Sequence, residues 1–256
     1  RDARELAQDL DRYVRGNKKA LRPVRVPTPE QEQRRQKTRQ RQQLAEHRLS
    51  LASQGRLTLL GQGWRESNQW WKPGRWERLK PQLPEWLIER LEVFRRLIIE
   101  TDEQLAGLTR KVEPSAPAER PKGLGALTLE IIEAEVVDWE RFGNRKAPGS
   151  YAGLVGGVSA SGGYHCDLSI TKAGNRRLRR NLIEAAWRWL IYQPQSRLMQ
   201  RWGGILYNPK AHKRQRKRAI VAVARGLLVD LWRWRTGRAT PEQLGWVMIE
   251  APTATN

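Results

Sequence analysis

Between Leu87 and Val112 one pattern narrows the choice of fold more than any other. Leu87, Leu91, Phe94, Ile98, Thr101, Leu105, Leu108 and Val112 alternate spacings of four and three, an a/d seam sustained over nearly four heptads. A strand cannot place these positions on one face, whereas a helix places all of them there. The segment therefore predicts a long helix in a coiled coil or helical hairpin, and it needs a partner to cover the seam. The preceding stretch TPEQEQRRQKTRQRQQLAEHRLSLASQGRLTLL is the natural partner. Thr28 suits its cap, Pro29 its first position, and Gln31 falls three residues after the cap. Up to Leu44 this helix is polar all round and heavily basic. Two readings stand side by side: a solvated arm, or a helix lying along phosphates.

The other segments are also mostly helical. RDARELAQDLDRYVRG places Leu6, Leu10 and Tyr13 or Val14 on one face and stops at Gly16; LRPVRVP then suits an extended connector. A Trp-, Pro- and Gly-rich stretch joins the two arm helices, and PSAPAERP marks a linker. Beyond it, Gly123-Leu124-Gly125 opens a helix bearing Leu127, Ile131 and Ile132. A helix capped by Asn175 buries Leu178, Leu182, Ala185 or Ala186, and Trp189; a basic run, KAHKRQRKR, leads into the apolar AIVAVARGLLVDLWRWR. The expected fold is mainly α, divided at 1–27, 28–113, a linker at 114–121, and 122–250.

Charge indicates the class of partner. Forty-eight Lys and Arg against 27 Asp and Glu leave a formal charge of +21. Such self-repulsion points to a polyanion, nucleic acid before an anionic membrane. No apolar run is long enough to span a bilayer and no signal peptide heads the chain, so a cytoplasmic protein without membrane contact is expected, nucleoid-associated if its partner is DNA. The single cysteine, Cys166, excludes an internal disulfide and a multi-cysteine zinc site.

Chemistry concentrates in GGVSASGGYHCDLSITKAGNRRLRR, from Gly156 to Arg180. Arg176, Arg177, Arg179 and Arg180 fill the first turns of the Asn175-capped helix, where cations are mildly unfavourable. A bound phosphate would reverse that balance, because free amides and guanidinium groups then act on one anion. The Gly123/Gly125 turn could offer amides in the same way, though the motif alone favours a plain tight turn. Ser161 lies before two glycines in what reads as a flexible loop. It is either an ordinary loop residue or a nucleophile that needs a base, a metal or cations to act.

Taken together, GLGALTLEIIEAEVVDWERF and APGSYAGLVGGVSASGGYHCDLSITKAGNRRLRRNLIEAAW resemble the C-terminal domain of DEDD-type insertion-sequence transposases, the Piv/MooV-like recombinases of insertion-sequence family one-hundred-and-ten. The N-terminal RDARELAQDL resembles the end of that family's RNase H-like, RuvC-like acidic motif, with Asp2 as its last carboxylate. By this resemblance residues 1–27 are the remnant of the catalytic domain, three of four carboxylates lie outside the chain, and residues 28–113 form the coiled-coil arm. The resemblance implies DNA cutting and rejoining by phosphoryl transfer, with Asp2 a ligand for Mg²⁺ and Ser161 the nucleophile (Ser159 as fallback). With the helix-terminus argument above, Lys172, Asn175, Arg176, Arg177, Arg179, Arg180, Gly123 and Gly125 are the residues expected on nucleic acid. The resemblance also implies a homodimer or homotetramer, a bacterial or archaeal source, and in some members an element-encoded guide RNA. A fragment lacking most of the acidic cluster is expected to be inactive alone. The alternative is a non-catalytic DNA- or RNA-binding regulator, which an in-frame upstream extension carrying the acidic residues would rule out.

Overall fold

The computed structural model describes residues 3–21, 26–113, 119–161 and 164–249, with the side chains of residues 158, 160, 161, 164, 165 and 167 outside that description. Two compact units emerge, Arg1–Glu32 and Gln33–Asn256. The expected connector at 22–25 and most of the linker fall outside the described residues.

In the first unit, α1 (Ala3–Val14) ends in a turn at Gly16, whose φ of 103° is one that glycine adopts without a Cβ penalty. Its apolar positions Leu6, Leu10 and Val14 are exposed. The unit closes on the start of α2 (Pro29–Gly61). There the expected capping box forms: the Thr28 amide donates to Gln31 Oε1 at 2.9 Å and the Gln31 amide to Thr28 Oγ1 at 3.3 Å.

In the second unit α2 continues beside α4 (Glu85–Val112), with α3 (Pro73–Leu79) in the connection. Arg41 donates to the Thr109 hydroxyl at 2.7 Å and Arg48 pairs with Asp102, so the helices run antiparallel. Every heptad position of α4 is buried or half-buried. Leu87, Leu91 and Ile98 share a core with Ala52 and Leu59 of α2 and with the connector's Trp70 and Trp76. Trp70 is fully buried, and its indole donates to the Ala52 carbonyl at 2.9 Å. Its ring lies against Gly55, where a Cβ would come within 2.1 Å. Only glycine permits that approach.

The rest of this unit is a helical module around α5 (Ala126–Val136), α7 (Arg176–Tyr192), α8 (Arg197–Leu206) and α9 (Lys213–Arg235). The predicted face of α7, Leu178, Leu182, Ala185, Ala186 and Trp189, is wholly buried. It packs in one core with Ile220, Val223, Ala224 and Leu227 of α9. Small alanines on both helices allow close approach. On α5 the core positions are Leu129, Ile132 and Val136, whereas Leu127 is only half-buried. Strands β1 (Arg120–Pro121) and β4 (Met248–Ile249) pair antiparallel and bring the two ends of the module together. Buried Gln193 fastens them, donating to the Lys122 and Val247 carbonyls at 2.8 and 2.7 Å and accepting from the Val247 amide at 2.9 Å.

Mainly α is correct, and the Ser-Gly segment is the main departure. It forms an antiparallel hairpin, β2 (Gly156–Ser161) and β3 (Tyr164–Ile170), which follows the short α6 (Ala147–Tyr151). Tyr164, Cys166, Leu168 and Ile170 alternate with polar residues after Gly162-Gly163, a period-two run that the small residues obscured.

Candidate nucleic-acid interface

Ser161 ends β2 and pairs with Tyr164; Ser159 pairs with Cys166 and is exposed. The serines therefore belong to an ordered strand. A register shift between Gly156 and Val158 bends the base of the hairpin.

Five residues after β3, Asn175 caps α7, its Oδ1 accepting from the Leu178 amide at 2.9 Å. Its Nδ2 donates to Glu135 at 2.7 Å. This glutamate on α5 has no exposed surface, and it also accepts two bonds from Arg39 at 3.0 and 2.9 Å and one from Arg177 at 2.9 Å. The anion that draws cations to this helix end is thus supplied by the protein. Burial would raise the Glu135 carboxyl, but the bonds from Arg39 and Asn175 and the charges of Arg39 and Arg177 prevail and hold it below the ordinary carboxylate range.

The four arginines do not act as one set. Arg177, with 11% of its side chain exposed, turns inward and also bonds Gln42 and Thr38. Burial lowers its own pKa. Arg179 donates to the carbonyls of Ala152 and Lys172 at 2.9 and 3.1 Å, closing the turn before β2 onto the turn before α7. Arg180 bridges Glu46 at 2.9 Å and Glu184 at 3.2 Å on the surface. Arg176 and Lys172 are exposed. Gly123 has a φ of 93° and would meet Tyr192 if it carried a Cβ, while Gly125 precedes the first turn of α5. The turn conformation accounts for Gly123.

The basic half of α2 fits neither reading offered for it. Arg34 grips Glu130 with both nitrogens and Arg39 grips Glu135, so the helix is docked by its charges. Glu130 is buried to 1%. The two arginines are five positions apart and so are the two glutamates, which keeps the two pairs in step. A hydrogen bond to Glu130 raises the pKa of Arg34, and its attraction to Glu130 and Glu133 offsets the effect of partial burial.

Asp2 lies outside the described residues. Among the described residues no cluster of three or more His, Cys, Asp or Glu side chains could hold a metal ion, so the chemistry of the Mg²⁺ implied by resemblance finds no ligand set there. No helix among them is long and apolar enough to cross a membrane.

The hairpin base forms one wall of a cleft of about 1100 Å³ against α8 and α9. The sequence displayed the basic run that starts α9 but gave no sign that it converges with Arg145, Arg201 and Arg225 around one cavity.

Residues 115–200, which include the serine hairpin and all of α7, match the family described as Transposase IS116/IS110/IS902. The Sinorhizobium fredii protein y4rJ, which carries a transposase name, is 31% identical over 263 residues, 91% of this chain. Residues 115–200 belong to that transposase family. It spans 65% of the length of y4rJ. Within the family match, α5, the hairpin and α7 form a continuous stretch, while α9 and its part of the cleft lie beyond it.

Proposed function

We propose that the chain is part of an insertion-sequence transposase that cuts and rejoins DNA by phosphoryl transfer, with Ser161 as nucleophile. The carrying observation is the family match over residues 115–200, which encloses Ser161. An ordered strand ending suits the role, because a nucleophile must be held within about 3–3.5 Å of the phosphorus it attacks. Lys172, Arg176 and Arg180 keep cations on the surface near the start of α7, where they would stabilise the attacked phosphate. Arg177, Arg179 and Asn175 act through the fold, by fixing α7 against α5 and α2.

A divalent cation such as Mg²⁺ would be held by Asp2 with carboxylates that the described residues do not provide. On this reading residues 1–27 are the end of an RNase H-like domain. The α2–α4 hairpin is the coiled-coil arm by which two or four copies assemble, since Trp86, Val93 and Leu97 leave an apolar stripe exposed along α4. Element DNA is the substrate, and a guide RNA would draw on the same positive charge.

The test uses the protein expressed from its complete reading frame, incubated with element-end DNA and Mg²⁺ and resolved under denaturing conditions. A covalent protein–DNA adduct should form, vanish in Ser161→Ala and persist in Ser159→Ala. Loss only in Ser159→Ala would move the nucleophile. No adduct in any form would leave the regulator reading in its place.

A further inference from the structure

The cleft between the hairpin base, α8 and α9 combines exposed cations with an apolar floor. Seven cations line it; Arg197 pairs with Asp230, which leaves six: Arg145, Arg201, Arg214, Lys217, Arg218 and Arg225. All six are exposed, and none has a carboxylate within ion-pairing distance among the described residues. They come from the loop before α6, from α8, and from the first four turns of α9, so no local helix pairing explains their convergence. Bringing like charges together destabilises the folded protein unless a polyanion neutralises them.

Between the cations the cleft is apolar. Leu154, Ile170, Leu198, Val221 and Val229 contribute to it, and half-buried Trp202 stands beside Arg201, whose guanidinium lies 5.4 Å from the ring centre. A duplex keeps its base faces stacked inside and would leave the apolar part of the cleft without a matching partner. An unpaired strand fits both parts, with phosphates on the cations and base faces on Trp202 and the aliphatic floor. One further group lines the cleft. Asp230, buried to 1%, uses Oδ1 to accept from Arg197 at 2.8 Å, while its Oδ2 is buried without a hydrogen-bond partner. An N–H on a base edge would satisfy that acceptor.

We propose that this cleft binds an unpaired polynucleotide strand and leads it along the hairpin toward Ser161. The inference rests on reading the chain as a nucleic-acid enzyme, and adds the strandedness and the path of the ligand. Gly156 lines the cleft and Ser161 lies five residues further along β2, roughly 16 Å at the rise of a strand. That spacing corresponds to a few nucleotides of extended chain between the bound segment and the reacting phosphate.

The test is fluorescence anisotropy of the complete chain with a mixed-sequence, unstructured 20-nucleotide DNA, the RNA of the same sequence, and the blunt DNA duplex. Arg214→Ala/Lys217→Ala/Arg218→Ala removes three exposed charges and should weaken single-strand binding at least tenfold. It should also lower the slope of log affinity against log salt by about 2, at about 0.7 per phosphate contact. Arg90→Ala/Arg96→Ala/Arg110→Ala removes the same charge from exposed sites on α4 and should change affinity less than twofold. Trp202→Ala should weaken single-strand binding about tenfold, with partial recovery in Trp202→Phe. Single-strand binding by either DNA or RNA with these losses supports the proposal, and the two arms identify the source. Equal losses in the two triple variants, or duplex binding as tight as single-strand binding and equally impaired, would overturn it. Ser161→Ala should bind the strand normally. A cleft variant that still binds the strand therefore refutes the cleft alone, and persistence of the covalent adduct in Ser161→Ala refutes the nucleophile alone.

Discussion

Two groups of arginines in this chain have opposite surroundings. Where α2, α5 and α7 meet, Arg34, Arg39 and Arg177 are committed to the buried carboxylates of Glu130 and Glu135. In the cleft, six of the seven cations have no carboxylate partner among the described residues. The same residue type holds the fold in one place and waits for an anion in the other. Only the second group has charge left for a ligand, so a count of basic residues overstates the surface available to nucleic acid.

Removing the buried anion should break the first region most severely. Glu135→Ala would leave Arg39, Arg177 and Asn175 without their shared acceptor, and losing one partner of a buried pair typically costs about 3–5 kcal/mol. Urea unfolding would measure this. The triple alanine change at Arg214, Lys217 and Arg218 should alter stability by about 0.5 kcal/mol or less per site, since these side chains are exposed and unpaired. Equal destabilisation by the two changes would erase the distinction between the regions.

A smaller loss is expected in the arm. Gly55→Ala sets a methyl against the Trp70 ring and should cost about 1–3 kcal/mol by overpacking, with a lowered Tm and a shifted tryptophan emission.

The pH responses of the two regions should differ in sign. Glu135 is held below the ordinary carboxylate range in the fold, so its stabilisation is complete above the unfolded-state value, about 4.3, and is lost as pH falls through the lower folded value. Asp230 moves the other way. Burial raises its carboxyl against the lowering by Arg197 and Arg233, so its contribution is present below the ordinary aspartate value and is lost as pH rises through the folded one. Asp230→Asn should therefore make the protein relatively more stable at neutral pH than in acid, and Glu135→Gln should cost stability at neutral pH and little at low pH. Unfolding curves at pH 3 and pH 7 would separate them.

Much of this architecture was legible in the residues. The heptad seam of α4, the Thr28–Gln31 box and the buried face of α7 all follow from local spacing, and local spacing is what helices obey. The site was legible only in part. The four arginines after Asn175 looked like a phosphate cradle because cations at a helix start need an anion. That physical argument holds for Arg177, but its anion is Glu135, 42 residues away in sequence, and no local pattern reveals it. The hairpin was hidden by its glycines and serines, although alternation from Tyr164 to Ile170 marked its second strand. The cleft was out of reach for the same reason as Glu135. Arg145, Arg201 and Arg218 become neighbours only after α8 and α9 pack.

Hydrogen exchange with and without the unpaired 20-nucleotide strand tests the division of labour most directly. The strand should slow exchange of amides at the starts of α8 and α9 and at residues 168–170. Amides of residues 33–42, at the junction of α2 with α5 and α7, should keep their free-state rates. New protection at that junction, with the cleft amides unchanged, would contradict the account.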